Sequence, residues 1–263
     1  MGEEKDNCFL NEIVKKCHIN LLQKSSKLAL AYLVSRGITL GDIKNYNIGY
    51  ISNFLENIEN KTDDANNFNK WLGYRGRFVS KRIVFPIYDE VGTIKGIETR
   101  ALDQKSMDVL DKKYLPLVKD ANLHINDVRY KKFYLDKSKY TACFFGLPSA
   151  LESIWKERSV FLTEGIFDCL SILKIYPNCL SSLTANINKY QIMWLKRYVK
   201  RVILIFDMDK KGQDSIERIK DILGDDLSVY SVQLKNKDIN ETVIKNGAKE
   251  LKLIIDDKLT RFF

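Results

Sequence analysis

No apolar run in this 263-residue chain approaches the roughly 18–20 residues a membrane helix needs. Its N-terminus, MGEEKDNCFL, has no basic-then-apolar signal pattern. A membrane span and export are thereby excluded, and a soluble cytoplasmic protein is expected. Zinc-binding spacing is missing too. Five cysteines (Cys8, Cys17, Cys143, Cys169, Cys179) form no CxxC or CxxH pair. The adjacent Cys17-His18 cannot supply two ligands of one tetrahedral zinc. Buried thiols in a reducing compartment are expected, and no zinc. With 45% hydrophobic and 29% charged residues, disorder, collagen-like repeats and a disulfide-built mini-protein are also excluded. The length fits one large domain or two ordinary ones.

What is present is basic. Lys and Arg total 43 against 34 Asp and Glu, a formal charge of +9. Such an excess favours a polyanionic partner, and nucleic acid is the commonest one. Aromatic and basic residues interleave through the middle of the chain (Trp71, Tyr74, Arg75, Arg77, Phe78, Lys81, Arg82), whereas the acids gather in a few C-terminal places. The predominance of Lys and the many Asn fit an AT-rich genome.

The pattern of residues divides the chain. Ser25 and Ser26 can cap a helix whose apolar positions Leu28, Leu30, Tyr32, Leu33 and Val34 end at Arg36-Gly37. Thr39 or Gly41-Asp42 then opens a short helix leading to Tyr46, Ile48 and Tyr50. Residues 56–70 are polar and Asn-rich and read as a loop. Arg82 to Ile87 and Thr93 to Thr99 read as two strands joined by a turn from Asp89 to Gly92, a hairpin. Residues 101–140 read as a second irregular, charged stretch. From about Ala150 the rhythm becomes apolar strands alternating with amphipathic helices, the mark of a parallel α/β sheet.

Three strands of this last block run into acids. The strand 159–163 leads to Glu164-Gly165, the strand 201–206 to Asp207-Met208-Asp209, and the strand 227–234 to residues 235–238, ending in Asp238. Helices are expected over 167–175 and 213–223. Ligand sites of open parallel sheets lie outside the C-terminal ends of the strands, so the three clusters should converge on one edge. Carboxylates gathered there repel one another unless cations separate them. Hard oxygen ligands in a basic-rimmed site suit Mg²⁺, which takes one or two carboxylates with phosphates and waters.

The order Glu164-Gly165-Ile166-Phe167-Asp168, then Phe206-Asp207-Met208-Asp209-Lys210-Lys211-Gly212-Gln213, then Lys237-Asp238-Ile239-Asn240 resembles a Toprim domain. That is the catalytic module of bacterial-type (DnaG-type) primases, topoisomerases and some nucleases. The upstream half separates these relatives. Tyr32-Leu33-Val34-Ser35-Arg36-Gly37-Ile38 with Ile48-Gly49-Tyr50 resembles the primase "YL-x-x-RGI … IGY" segment. Arg82 to Ile87 with Gly96-Ile97-Glu98-Thr99-Arg100 resembles its "RIxFPI … GxxxGR" hairpin, and Lys113-Tyr114-Leu115 and Phe145-Gly146-Leu147 its "KYLNS" and "LYGL" stretches. The likeness is collinear over roughly 26–250 and corresponds to the RNA-polymerising core of such primases.

The resemblance implies an α/β fold: an N-terminal segment (1–25), a basic α+β subdomain (26–152), a Toprim α/β subdomain with a central parallel sheet (153–250) and a tail (251–263). It implies DNA-templated synthesis of short RNA primers on single-stranded DNA from ribonucleoside triphosphates. Asp207 and Asp209 would bind Mg²⁺ (Mn²⁺ as substitute), with Glu164 as third ligand or general base and Asp238 as a further ligand. Asp168, one helical turn after Glu164, would face the same edge. Arg36, Arg82, Arg100 and Lys113 match family positions expected to meet triphosphate or template, and Tyr114 could stack on a base. The chain departs from the pattern at Asn240, where the second Asp of "DPD" is expected, at Thr184, in place of the Gly of an "LGT" turn, and at Pro116. It also has no counterpart of a zinc ribbon or helicase-binding domain. A replicative helicase or separate zinc-bearing partner is therefore expected, and a phage or mobile element is one origin for so short a core. The same acids could instead serve a Toprim nuclease, and a decayed site would leave a non-catalytic single-strand-binding replisome subunit.

Overall fold

The computed structural model describes residues 2–52, 81–102, 130–134, 143–206, 210–234 and 239–260. The chain forms two compact units. The first comprises Met1–Val34, Thr39–Ile87 and Ile94–Asp136, and the second Ser35–Ile38, Tyr88–Thr93 and Lys137–Phe263.

The first unit opens with helix α1 (Gly2–Leu21), where the sequence pattern predicts no more than an N-terminal segment. Its buried residues Leu10, Ile13, Val14, Cys17 and Leu21 follow the three-to-four spacing of one helical face. Burial pushes the Cys17 thiol up to about 12, so it packs as a small apolar group. Helix α2 (Lys27–Ser35) follows, then α3 (Leu40–Asn45). Thr39 caps α3 in a reciprocal pair: its Oγ1 accepts from the Asp42 amide at 3.1 Å, and Asp42 Oδ2 accepts from the Thr39 amide at 2.8 Å.

Strands β1 (Gly49–Ile51), β2 (Arg82–Tyr88), β3 (Ile94–Ala101) and β4 (Tyr130–Tyr134) form a sheet in that order. The β2–β3 turn is organised by Asp89, whose Oδ1 accepts from the amides of Val91 (3.1 Å) and Thr93 (2.8 Å). The expected hairpin is present. Strand β4 lies within the stretch expected to be irregular: five residues with two consecutive lysines give no clean period-two pattern, and pairing with β3 sets their conformation. Helix α1 crosses this sheet at Gly49. A Cβ there would fall 2.6 Å from Cys17 Cβ and 2.7 Å from its carbonyl carbon, so only glycine admits the approach. Asn20 Nδ2 donates to the Tyr50 carbonyl at 2.9 Å, and His18 Nδ1 lies 2.9 Å from the Ile48 carbonyl, which makes Nδ1 the protonated nitrogen.

The second unit is an α/β sandwich around a parallel sheet. Helix α4 (Leu147–Glu157) precedes β5 (Ser159–Thr163), and α5 (Ile166–Leu173) leads to β6 (Cys179–Ser181). Then come α6 (Lys189–Tyr198), β7 (Arg201–Ile205), α7 (Lys210–Leu223) and β8 (Ser228–Ser231), followed by α8 (Ile239–Asn246) and α9 (Ala248–Leu259). The sheet order is β6-β5-β7-β8, all parallel. All five residues of β5 are buried because helices cover both faces, which is why it reads as an unbroken apolar run. One face packs Val160, Leu162, Val202 and Leu204 against Leu147, Ile154, Trp194 and Leu195. Helix α9 occupies most of the stretch expected to be a tail. It buries Leu251 and Ile255, and its Asp256 accepts a hydrogen bond from the Tyr176 hydroxyl. Burial pulls the Asp256 carboxyl upward, but the hydrogen bonds from Lys252 and Tyr176 hold it below the ordinary carboxylate range.

No helix among the described residues is long and apolar enough to cross a membrane. The α1–β1 contact yields a test: Gly49→Ala should cost about 1–3 kcal/mol, the usual penalty of overpacking against atoms that cannot yield. Urea unfolding would show it as a lowered midpoint, and an unchanged midpoint would mean that α1 does not lie on β1 as described.

Candidate active site at the edge of the parallel sheet

The β6-β5-β7-β8 order dictates where a ligand can bind. After β5 the chain steps outward to β6, then returns past β5 to β7. Strands β5 and β7 are thus neighbours whose connections leave in opposite directions, and the crevice at their C-terminal ends is the topological switch point. Thr163 is level with Ile205 across the β5–β7 pair and with Ser181 across β5–β6. Glu164 therefore leaves the sheet where the three ends align, and β7 ends two residues before Asp207.

Glu164 is half-buried and its surroundings are built from side-chain donors. Ser181 Oγ donates to the Glu164 carbonyl at 3.0 Å and accepts from the Leu183 amide at 3.1 Å. Ser182 Oγ lies 3.1 Å from the Thr163 carbonyl and 2.7 Å from the Thr184 carbonyl. Gln191 Nε2 reaches across from α6 to the carbonyls of Cys143 (3.0 Å) and Ser182 (3.2 Å). The turn after β6 needs this support because Leu183 has φ +68°, a left-handed conformation costing a non-glycine residue roughly 1–2 kcal/mol. The left-handed residue of this turn is Leu183, one residue before Thr184.

Asp168 sits in the first turn of α5, next to Phe167, and does more than face solvent. Its Oδ1 accepts from the Asn240 amide at 3.2 Å, so it caps the first turn of α8 from a neighbouring helix. Residues 35–38 also belong to this unit. The Arg36 guanidinium carbon lies 5.4 Å from the centroid of the Phe167 ring, a cation–π contact at the start of α5. The Lys174 ammonium donates to the Gly37 carbonyl.

Arg82 is fully buried in β2, and its Nε donates to Thr99 Oγ1 on β3 at 2.9 Å. That bond braces the hairpin. Arg100 is half-buried on β3, opposite Tyr130 on β4. Asp207, Asp209, Asp238, Lys113 and Tyr114 lie outside the described residues. Among the described residues no group of three His, Cys, Asp or Glu side chains is arranged to hold a metal. Sequence reasoning missed Ser181, Ser182 and Gln191, which carry no signal beyond being small or amide side chains near a strand end.

Comparison with known proteins agrees with both halves. Residues 17–121 match the family described as the DNA primase catalytic core, N-terminal domain, and residues 161–243 match the Toprim-like family. The DNA primase of Lactococcus lactis is 29% identical over 224 residues, covering 78% of this chain and 32% of that protein. A crystal structure of the Aquifex aeolicus primase, comprising its zinc-binding and RNA polymerase domains, matches with a TM-score of 0.76 at 23% identity. That match covers 98% of this chain and 62% of the other. A DnaG primase catalytic domain solved with bound single-stranded DNA matches with a TM-score of 0.74 at 18% identity, over 98% of this chain and 83% of that one. The chain spans about a third of the length of the curated relatives it matches.

Fold and site together define a Toprim-like α/β unit in one chain with a primase N-terminal domain. Taken together, the two matches liken the chain to DnaG-type DNA primase catalytic cores.

Ser181 offers a test of the edge. It is fully buried, and Ser181→Ala removes the partner of both the Leu183 amide and the Glu164 carbonyl. A loss of about 1–3 kcal/mol is expected for polar groups left unsatisfied. Chemical denaturation measures it, and a change below about 0.5 kcal/mol, the ordinary surface range, would show that the turn does not depend on this hydroxyl.

Proposed function

We propose that this chain is a DNA-templated RNA polymerase core that makes short primers on single-stranded DNA. The observation that carries the reading is the β5–β7 register: Glu164 leaves the switch point beside the strand that runs on into Asp207-Met208-Asp209. It gains support from the primase family matches on both halves and from the solved relative that holds single-stranded DNA.

In the proposed reaction the 3′-hydroxyl of one ribonucleotide attacks the α-phosphate of the next, and pyrophosphate leaves. Glu164 offers a hard oxygen donor at the switch point, the kind a divalent cation takes. Asp207, Asp209 and Asp238 would complete the set, with Mg²⁺ the preferred ion and Mn²⁺ a substitute. Bound there, the ion would neutralise phosphate charge and lower the pKa of the attacking hydroxyl. Glu164 alternatively serves as the general base, within reach of a hydroxyl aligned at the edge. Arg36, held over Phe167 beside Asp168, would meet a phosphate of the nucleotide or template. Lys113 and Arg100 would share that charge, and Tyr114 would stack on a base.

Incubation with single-stranded DNA, ribonucleoside triphosphates and Mg²⁺ tests the reading. Short RNA is expected; shortened DNA would instead identify a nuclease, and binding without product a non-catalytic subunit. Asp207→Asn and Asp209→Asn should each lower synthesis at least about 100-fold, as expected when several kcal/mol of charge stabilisation are lost. Thermal unfolding of both variants should stay near wild type, and near-normal synthesis by both would sink the assignment.

Binding should also be electrostatic. For single strands the log–log slope of affinity against salt is about −0.7 per phosphate neutralised. Arg36→Ala should therefore weaken binding equally on all sequences and reduce the slope by about that amount. Sequence-dependent effects in a fluorescence titration would contradict the proposed role.

A further inference from the structure

Position 240 departs from the family pattern by losing a carboxylate, and the structure supplies a physical reason. Asn240 is 1% exposed in the first turn of α8. Its Nδ2 donates to the Arg36 carbonyl at 2.8 Å and to Ser171 Oγ at 3.0 Å. The Ser171 hydroxyl donates in turn to the Phe167 carbonyl at 2.8 Å, so towards Asn240 it can only accept. The Arg36 carbonyl is likewise an acceptor only. Both partners thus require a donor at this side-chain position, which fixes the amide orientation. A carboxylate there would set an oxygen against the Arg36 carbonyl and leave that acceptor without this donor.

The same residue joins every element at this corner. Its backbone amide binds Asp168 and its side chain binds the residue that carries the guanidinium over Phe167. With the Lys174 ammonium on the Gly37 carbonyl, both carbonyls of the Arg36-Gly37 turn are held by side chains of the parallel-sheet unit. Gly37 has φ +72°, so the turn leaves the helical path here and its direction is set by these contacts.

We propose that Asn240 is a positioning residue for Arg36 rather than a metal ligand: it clamps the Arg36 carbonyl so that the guanidinium stays at the start of α5, where it meets a substrate phosphate. The phosphate role rests on the function proposed above; the clamp does not. Asn240 therefore converts a family position expected to carry negative charge into one that orients a positive one.

The test uses Asn240→Asp, which keeps the volume but replaces the amide donor with a carboxyl group, together with Asn240→Ala, Arg36→Ala and the double variant Asn240→Ala/Arg36→Ala. Hydrogen exchange of the full chain, followed by mass spectrometry, reads the clamp without any ligand. Both Asn240 variants should exchange about tenfold faster in peptides covering 35–38, the effect of one lost hydrogen bond, with β5 peptides unchanged. Salt titration of a labelled oligothymidylate reads the consequence. The slope should fall by about 0.7 in both Asn240 variants, as in Arg36→Ala, and the double variant should be no weaker than Arg36→Ala alone. The Mg²⁺ concentration giving half-maximal primer synthesis should be the same for Asn240→Ala as for wild type. Unchanged exchange at 35–38, additive losses in the double variant, or a lowered Mg²⁺ requirement in Asn240→Asp would each overturn the proposal. A wild-type chain that binds no oligonucleotide at any salt would overturn the proposed function and the phosphate role with it, and is distinguished from failure of the clamp by the exchange measurement.

Discussion

The pairing of β5 with β7 is the constraint on which the rest of the second unit depends. Parallel neighbours must be joined by crossovers, and crossovers cover both faces with helices. That explains the apolar runs 159–163 and 201–205, buried at nearly every position. The same geometry makes every strand end at one edge. Placing β6 on the far side of β5 turns that edge into a switch point at Glu164. Core packing and site location are therefore one decision: a sequence able to bury β5 on both faces has also chosen where its carboxylates emerge.

Reading the sequence was most informative where burial is two-sided or a turn is punctuated. Strands β2, β5 and β7 were legible as apolar runs, β3 as the second arm of a hairpin whose turn is marked by Asp89 and Gly92, and α3 through Thr39. Elements with weaker local signal were not. Strand β6 has three residues, β4 is split by lysines, and α1 and α9 carry their apolar residues too sparsely among charges to mark a core-facing helix without a partner surface. The position of Glu164 at the end of β5 was legible because an acid after a buried strand has a topological meaning. The bond from Arg82 to Thr99 was not legible, since a polar partner on the neighbouring strand carries no local signal.

Departures from a family pattern gain meaning from the partners around them. As sequence, Asn240 is a missing charge and Thr184 a missing glycine. In the structure, Asn240 stands where two acceptors need a donor. The left-handed residue of the turn is Leu183, held by hydroxyls on both sides. Neither position can be judged by residue similarity, because the relevant quantity is the hydrogen-bonding polarity of its neighbours.

The edge poses a general difficulty that these contacts answer. Where strands end, the ladder no longer supplies partners, and carbonyls turning into loops must find donors elsewhere or remain in water. Flexible, hydrated loops would let like-charged carboxylates drift apart, the cheapest relief of their repulsion. Here the carbonyls of Thr163, Glu164, Ser182 and Arg36 each face a side-chain hydroxyl or amide fixed by a helix or strand. Neutral donors are suited to such positions. They hold the backbone without adding charge beside Glu164. Ser, Gln and Asn around the switch point thus fix its backbone with neutral groups alone.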